Sequence, residues 1–148
     1  MNKKEFEELM LRVKTKNPRI FGLDSDCKPT VEDIEMMEKY YNIVFSKSYK
    51  DFLLQYGGGY FAFTIVYSLD KQSCFYIKNN VSVEFVKDNK IFPIIDFETG
   101  DLAGFKVYNG RCEDTIVLYN HEEKRTSDTK LNFYDALGKY GLKLVYGG

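Results

Sequence analysis

A chain of 148 residues, 44% hydrophobic and 29% charged, carries enough apolar side chain for one packed core, so residues 1–148 are expected to form a single domain. Its net charge of −1, from 21 basic and 22 acidic side chains, lacks the basic excess through which phosphate-binding proteins gain affinity, and argues against direct nucleic-acid binding. No run of roughly 18 apolar residues occurs, and acids interrupt the opening Met1–Glu8 segment, so neither a membrane span nor a secretory leader is expected.

The first element is helical. Phe6, Leu9, Met10 and Val13 fall at i, i+3, i+4 and i+7, one apolar stripe that Asn17-Pro18 should end. A second helix starts at Pro29-Thr30-Val31, with Thr30 as N-cap and Asp33 at N3, and Val31, Ile34, Met37 and Tyr41 keep its period. Ser46 or Ser48 caps a third helix, whose stripe is Tyr49, Phe52, Leu53 and Tyr56 and whose stop is Gly57-Gly58-Gly59. The period then changes. Strands are expected near Tyr60–Tyr67, Cys74–Ile77, Val83–Val86, Ile91–Phe97, Leu102–Val107 and Ile116–Tyr119, with hairpin turns at Thr99-Gly100-Asp101 and Asn109-Gly110. The mixed-sign segments Lys87–Lys90 and Glu122–Arg125 read as solvated loops. A last helix should start near Ser127 or Asp128 and bury Phe133, Leu137 and Tyr140, with a terminal strand over 142–146. The twelve Tyr and twelve Phe mainly fill the sheet and the helices that cover it. Segregated helices, an antiparallel sheet and a closing helix make an α+β fold, with one strongly twisted antiparallel sheet of about six strands.

Residues suited to catalysis are scarce. His121 is the one histidine, follows a strand and precedes two glutamates, and reads as a turn or surface residue. Cys27, Cys74 and Cys112 are odd in number and form no C-x-x-C pair, so they should be reduced, buried thiols in a cytoplasmic protein without a disulfide framework. The glycine triplet follows a helix and precedes no Gly-Lys-Ser/Thr, which makes it a helix stop and no phosphate loop. No ligand spacing supports a metal, and no cofactor is expected. Acids around the turns remain: Asp96, Glu98 and Asp101 at one, Glu113 and Asp114 at another, and Glu122 near the final helix. Their functional reading is an acidic surface that meets a basic protein partner.

The ordered set of segments resembles one family. The stretch from Pro29 to Tyr41 is similar to the T-x-x-(D/E)-I-x-x-x-E helix of the SUKH (Smi/Knr-like) superfamily. Phe45 to Leu53 with Gly57-Gly58 resembles its L-P-x-x-Y-x-x-F-L-x-x-x-N-G-G. Ile94–Leu102 resembles its central hairpin, Ile116–Glu122 its late strand, and Leu131–Leu137 its closing helix. Two positions depart: Ser46 stands for the usual proline, and Tyr56-Gly57 for the common Asn-Gly. The resemblance implies helices packed on one antiparallel sheet and a non-catalytic immunity protein that neutralises a polymorphic toxin. It is strongest to the Bacillus YobK-type members, paired with LXG-class toxins that often end in a nuclease domain. The expected partner is therefore that toxin's C-terminal domain, with no membrane partner and with the chain itself a monomer or weak homodimer. Eukaryotic relatives regulate cell-wall synthesis, which leaves open a regulatory or scaffolding adaptor. An undetected hydrolase built around His121 is the third reading.

Overall fold

In the computed structural model, which describes residues 1–23 and 25–143, helix α1 spans Lys3–Lys16. It opens on a capping box in which Asn2 accepts from the Glu5 N–H at 2.8 Å and Glu5 accepts from the Asn2 N–H at 3.1 Å. Phe6 and Met10 form its buried stripe, and Asn17 stops it ahead of a short 3₁₀ turn, Pro18–Phe21. Helix α2 (Val31–Tyr41) carries the expected Thr30–Asp33 capping box and buries Ile34, Met37 and Tyr41, whereas Val31 is exposed. Helix α3 (Lys47–Tyr56) is capped by Ser46, whose Oγ accepts the Ser48 N–H at 3.2 Å, and it buries Tyr49, Phe52 and Leu53.

The glycine triplet ends α3 and also receives another segment. Gly57, at φ +86°, makes the C-cap, and a side chain there would fall on the backbone carbonyl oxygen of Asp26. The strap leading into α2 is pinned at this point. Asp26 N–H donates to the Gly58 carbonyl at 2.9 Å, and its carboxylate accepts the hydroxyl of the fully buried Ser68 at 2.6 Å.

One six-stranded antiparallel sheet follows in simple meander order, β1 (Gly59–Phe61), β2 (Thr64–Val66), β3 (Ile91–Asp96), β4 (Leu102–Tyr108), β5 (Arg111–Asn120) and β6 (Arg125–Leu131). Phe92, Phe105 and Ile116 stand side by side across β3, β4 and β5. Against them pack Tyr49 from α3 and Phe133 from the closing helix α6 (Phe133–Ala136), with ring centroids 5.4–6.2 Å apart. The Tyr49 hydroxyl donates to the Tyr67 carbonyl at 2.6 Å, so a fully buried phenol is satisfied; burial drives its pKa well above the ordinary value. Helices α4 (Ile77–Asn80) and α5 (Val83–Asn89) enter between β2 and β3. Phe85 of α5 meets Tyr119 edge-on at 4.9 Å; by strand alternation Tyr119 points away from Ile116, so α5 covers the other face of the sheet.

The α+β assignment holds, and several local expectations do not. The Tyr60–Tyr67 run is a hairpin, β1–β2, folded back at Ala62 with φ +52°. The Cys74–Ile77 run is a turn leading into α4, because Asn80 Nδ2 donates to the Cys74 and Tyr76 carbonyls at 3.0 and 2.7 Å. The Val83–Val86 run is helical, because Ser82 caps the Phe85 N–H at 3.1 Å, and Lys87–Lys90 closes that helix instead of forming a loop. No helix starts at Ser127 or Asp128, which lie in β6; Asn132 is the cap, accepting the Asp135 N–H at 2.9 Å, and Leu137–Gly141 form a π turn beyond. Glu122 and Glu123 do lie in a turn, but Arg125 already belongs to β6. Residues 144–146 of the expected terminal strand lie outside the described residues, and Leu142 and Lys143 are not in a strand.

Candidate partner-binding surface

Two hairpin turns meet at one end of the sheet. In the β3–β4 turn, Asp96 Oδ1 accepts the Glu98 N–H at 2.7 Å and Asp96 Oδ2 accepts the Tyr67 hydroxyl at 3.0 Å, so this carboxylate holds the turn to the sheet. Asp101 Oδ1 accepts the backbone N–H of His121 at 3.0 Å and lies 2.6 Å from His121 Nδ1. An ionised carboxylate only accepts, so Nδ1 carries the hydrogen and the pair clips the β3–β4 turn to the β5–β6 turn. The imidazole covers Gly100, at φ +98°, where an added Cβ would approach the ring to 2.8 Å. The His121 backbone N–H, followed by its ring, holds the Asp101 carboxyl below the ordinary value of 3.8. Asn120 Oδ1 shapes the second turn by accepting the Glu122 and Glu123 N–H groups at 3.0 Å each, which leaves the Glu98 and Glu122 residues exposed.

A cleft of about 450 Å³ opens beside this pair of turns, its wall formed by Tyr40, Lys78, Phe85, Pro93, Leu102 and Tyr119. A smaller one of about 130 Å³, lined by Met36, Leu69 and Tyr76, shares Tyr40 and Lys78 with it, so the two form one continuous surface. Its mount is rigid. The Tyr41 hydroxyl donates to the carbonyls of Ile77 at 3.2 Å and Val81 at 2.7 Å, which ties α2 to α4. The Tyr40 ring stands edge-on to Tyr41 at 4.9 Å, with the Lys78 ammonium 4.5 Å from its centroid.

Glu113 and Asp114 lie at the other end, near the start of β5. Glu113 is exposed. The Asp114 carboxylate turns toward Ser48, Asn132 and Tyr134 and accepts the Ser48 hydroxyl at 3.2 Å. Lost solvation there raises its pKa above 3.8, a shift that bonds from Ser48 and the Phe133 N–H reduce. The structure thus brings together Asp96, Glu98, Asp101 and Glu122, and separates Glu113 and Asp114 from them. Among the described residues, no group of three or more His, Cys, Asp or Glu side chains is placed to hold a metal ion, and no helix is long and apolar enough to cross a membrane.

The family model SUKH_6, described as SMI1-KNR4 cell-wall, matches residues 31–136, from the start of α2 to the end of α6. The chain belongs to the SUKH family. No curated protein and no solved structure matches it. SUKH membership is consistent with an immunity role in general, and all six strands and the aromatic cleft lie inside the matched range.

The thiols of this SUKH protein are free but not all buried, contrary to expectation: Cys27 and Cys74 are exposed and Cys112 is intermediate. Cys74 sits in the turn misread as a strand, and Cys27 in the strap. Asp70, whose charge lies close to the Cys27 thiol, pushes its pKa up, and burial pushes that of Cys112 up to about 12, so both are poor nucleophiles. Sequence reasoning also missed Met36, Tyr40 and Phe85. For the first two a signal existed: Met36 and Tyr40 are apolar residues four apart on α2 that fall off the Ile34–Met37–Tyr41 stripe, so they face outward.

Proposed function

We propose that this SUKH protein is a cytoplasmic immunity protein, one that binds a cognate polymorphic toxin and neutralises it by occupying its surface. The observation that carries the reading is the family match, which spans the whole sheet. The exposed, rigidly mounted aromatic cleft beside an acidic pair of turns supports it, since such a surface suits protein binding. The finer form of the proposal is an LXG-class toxin with a nuclease C-terminal domain as partner. Such a domain carries a basic face for its substrate, and the candidate contacts are the acids at one end of the sheet, Asp96, Glu98, Asp101 and Glu122, or those at the other, Glu113 and Asp114. The test is co-expression with the C-terminal domain of a toxin encoded beside this gene. Cells are expected to survive only when both are made and the two proteins to co-purify; cells that still die sink the reading. The cell-wall wording of the family description favours one alternative, a non-catalytic adaptor for an endogenous protein. Absence of a neighbouring toxin gene, together with a cell-wall defect on deletion, would select it.

A further inference from the structure

The immunity reading leaves the contact face open, and the acids alone do not settle it because they lie at opposite ends of the sheet. We infer that the partner seats on the surface running from Met36 across Tyr40 and Lys78 to Phe85 and Tyr119, and that it presents an apolar knob ringed by basic side chains. This assignment rests on the immunity reading and names the face that serves it.

Composition is the first argument. Interface centres favour Tyr, Phe and Met with charge kept to the rim, and binding energy concentrates on a few such anchors. Met36 and Tyr40 are 65% and 43% exposed, large values for apolar side chains on the face of a helix packed into a core. Rigidity is the second. Tyr40 is fixed between Tyr41 and Lys78, Phe85 is fixed on Tyr119, and the α2–α4 junction is tied by the Tyr41 hydroxyl. A surface ordered in advance loses little conformational freedom on binding. Charge is the third. Asp33 and Glu84 line the two clefts together with Lys71 and Lys78, and the adjoining turns add Glu98, Asp101, Glu122 and Glu123 against Lys124 and Arg125. Six acids against four cations leave the surface and its rim with a net negative charge. That balance selects a basic partner.

Two other clefts have different chemistry. The cleft of about 360 Å³ under the strap, lined by Phe21, Phe52, Tyr56, Tyr60 and Phe61, carries Lys14 and Lys28. Lys14 lies 5.3 Å and 6.0 Å from the centroids of Phe21 and Tyr56, which makes that site cationic. The cleft around Asp114 is mainly polar, with Lys3, Lys47 and Ser48 on its wall.

The experiment is calorimetric titration of the full chain with the C-terminal domain of the adjacent toxin, run on the wild type and four variants. Tyr40→Ala is expected to weaken binding about 30-fold, the loss of a hot spot of about 2 kcal/mol at 1.4 kcal/mol per tenfold. Glu122→Lys, in an exposed turn that tolerates the change, should weaken it about threefold to tenfold at low salt and less at high salt. Glu113→Lys at the far end and Tyr60→Ala in the strap cleft should stay within about twofold. Far-UV circular dichroism and melting temperature verify that each variant folds. Wild-type chain that fails to bind overturns the immunity reading and this face with it. Tight wild-type binding that ignores Tyr40→Ala and Glu122→Lys but falls with Glu113→Lys or Tyr60→Ala overturns the face alone. So does a wild-type dimer that Tyr40→Ala dissolves, since a second copy would then own the surface.

Discussion

Asp101 and Asp114 are the same residue type at opposite ends of β4 and β5, and the fold treats them in opposite ways. At the turn end, a backbone N–H and an imidazole converge on Asp101, so its charge holds two hairpins together. At the far end, the Asp114 carboxylate meets the Ser48 hydroxyl and the Phe133 N–H, and the solvation it loses outweighs both bonds, so its pKa moves the other way. An acid read from sequence as a contact residue can therefore be a clip or a partly desolvated neighbour. Which one it is depends on whether the donors that reach it outweigh the solvation it loses.

The largest expected effect tests whether the two ends share one cooperative unit. Phe105 is fully buried midway along β4, and Phe105→Ala should lower unfolding stability by about 3–5 kcal/mol in urea denaturation. Amide exchange should quicken together at Asp101 and Asp114; faster exchange at one end only would show that the ends are independent. A smaller effect separates the turns themselves. Gly100→Ala places a left-handed Ala under the His121 ring and should cost about 1–3 kcal/mol, with loss of the clip visible in the His121 ring resonances. Gly110→Ala, in the far hairpin turn at φ +72° with its nearest contact 3.9 Å away, should cost only about 1 kcal/mol. Equal losses would remove the clip from the account. The smallest effect is in pH dependence. The Asp101 pKa is lowered in the folded state, so its stabilisation is present above 3.8 and is lost as pH falls through the folded value. The Asp114 pKa is raised, so stability is highest below 3.8 and is lost as pH rises through the folded value. Urea midpoints from about pH 3 to about pH 7 should therefore show Asp101→Asn less stable than wild type at the neutral end and Asp114→Asn equal or more stable there. A shift of both in one direction would contradict the contrast.

Local chemistry made much of this legible in the sequence. The stripes of α1 to α3, the Thr30–Asp33 box and the Asn109-Gly110 turn each depend on residues a few positions apart, and all appear where expected except Val31, which is exposed at the start of α2. Strand β6 was hidden because Arg125–Leu131 has no apolar alternation: it is an edge strand, exposed over Arg125–Asp128, and its pairing to β5 needs no apolar side chains there. Helix α5 was hidden for the opposite reason, since Val83, Phe85 and Val86 look like strand residues while the serine before them sets the helix. At the candidate surface, the acids could be read as turn residues one by one. Their division between two ends, and the meeting of Tyr40 with Phe85 and Tyr119, depend on how α2, α4 and α5 lie across the sheet, which no local window contains.

Strand β6 has one more consequence. A meander leaves two open rims, and an open rim invites a strand from another molecule to extend the sheet. Strand β1 offers three residues, and the strap already bridges to it at Ser25–Gly59. The longer rim is spoiled instead. Lys130 is turned to φ +61°, the pairing with β5 slips between Ile116 and Val117, and Arg125, Asp128 and Lys130 set charges of both signs along it. Thr129 bends its hydroxyl inward to the Ile116 carbonyl at 2.7 Å, and Asp128 takes the Lys130 N–H at 2.7 Å, which removes a donor an incoming strand would use. Each of these features works against edge-to-edge stacking of one chain on another.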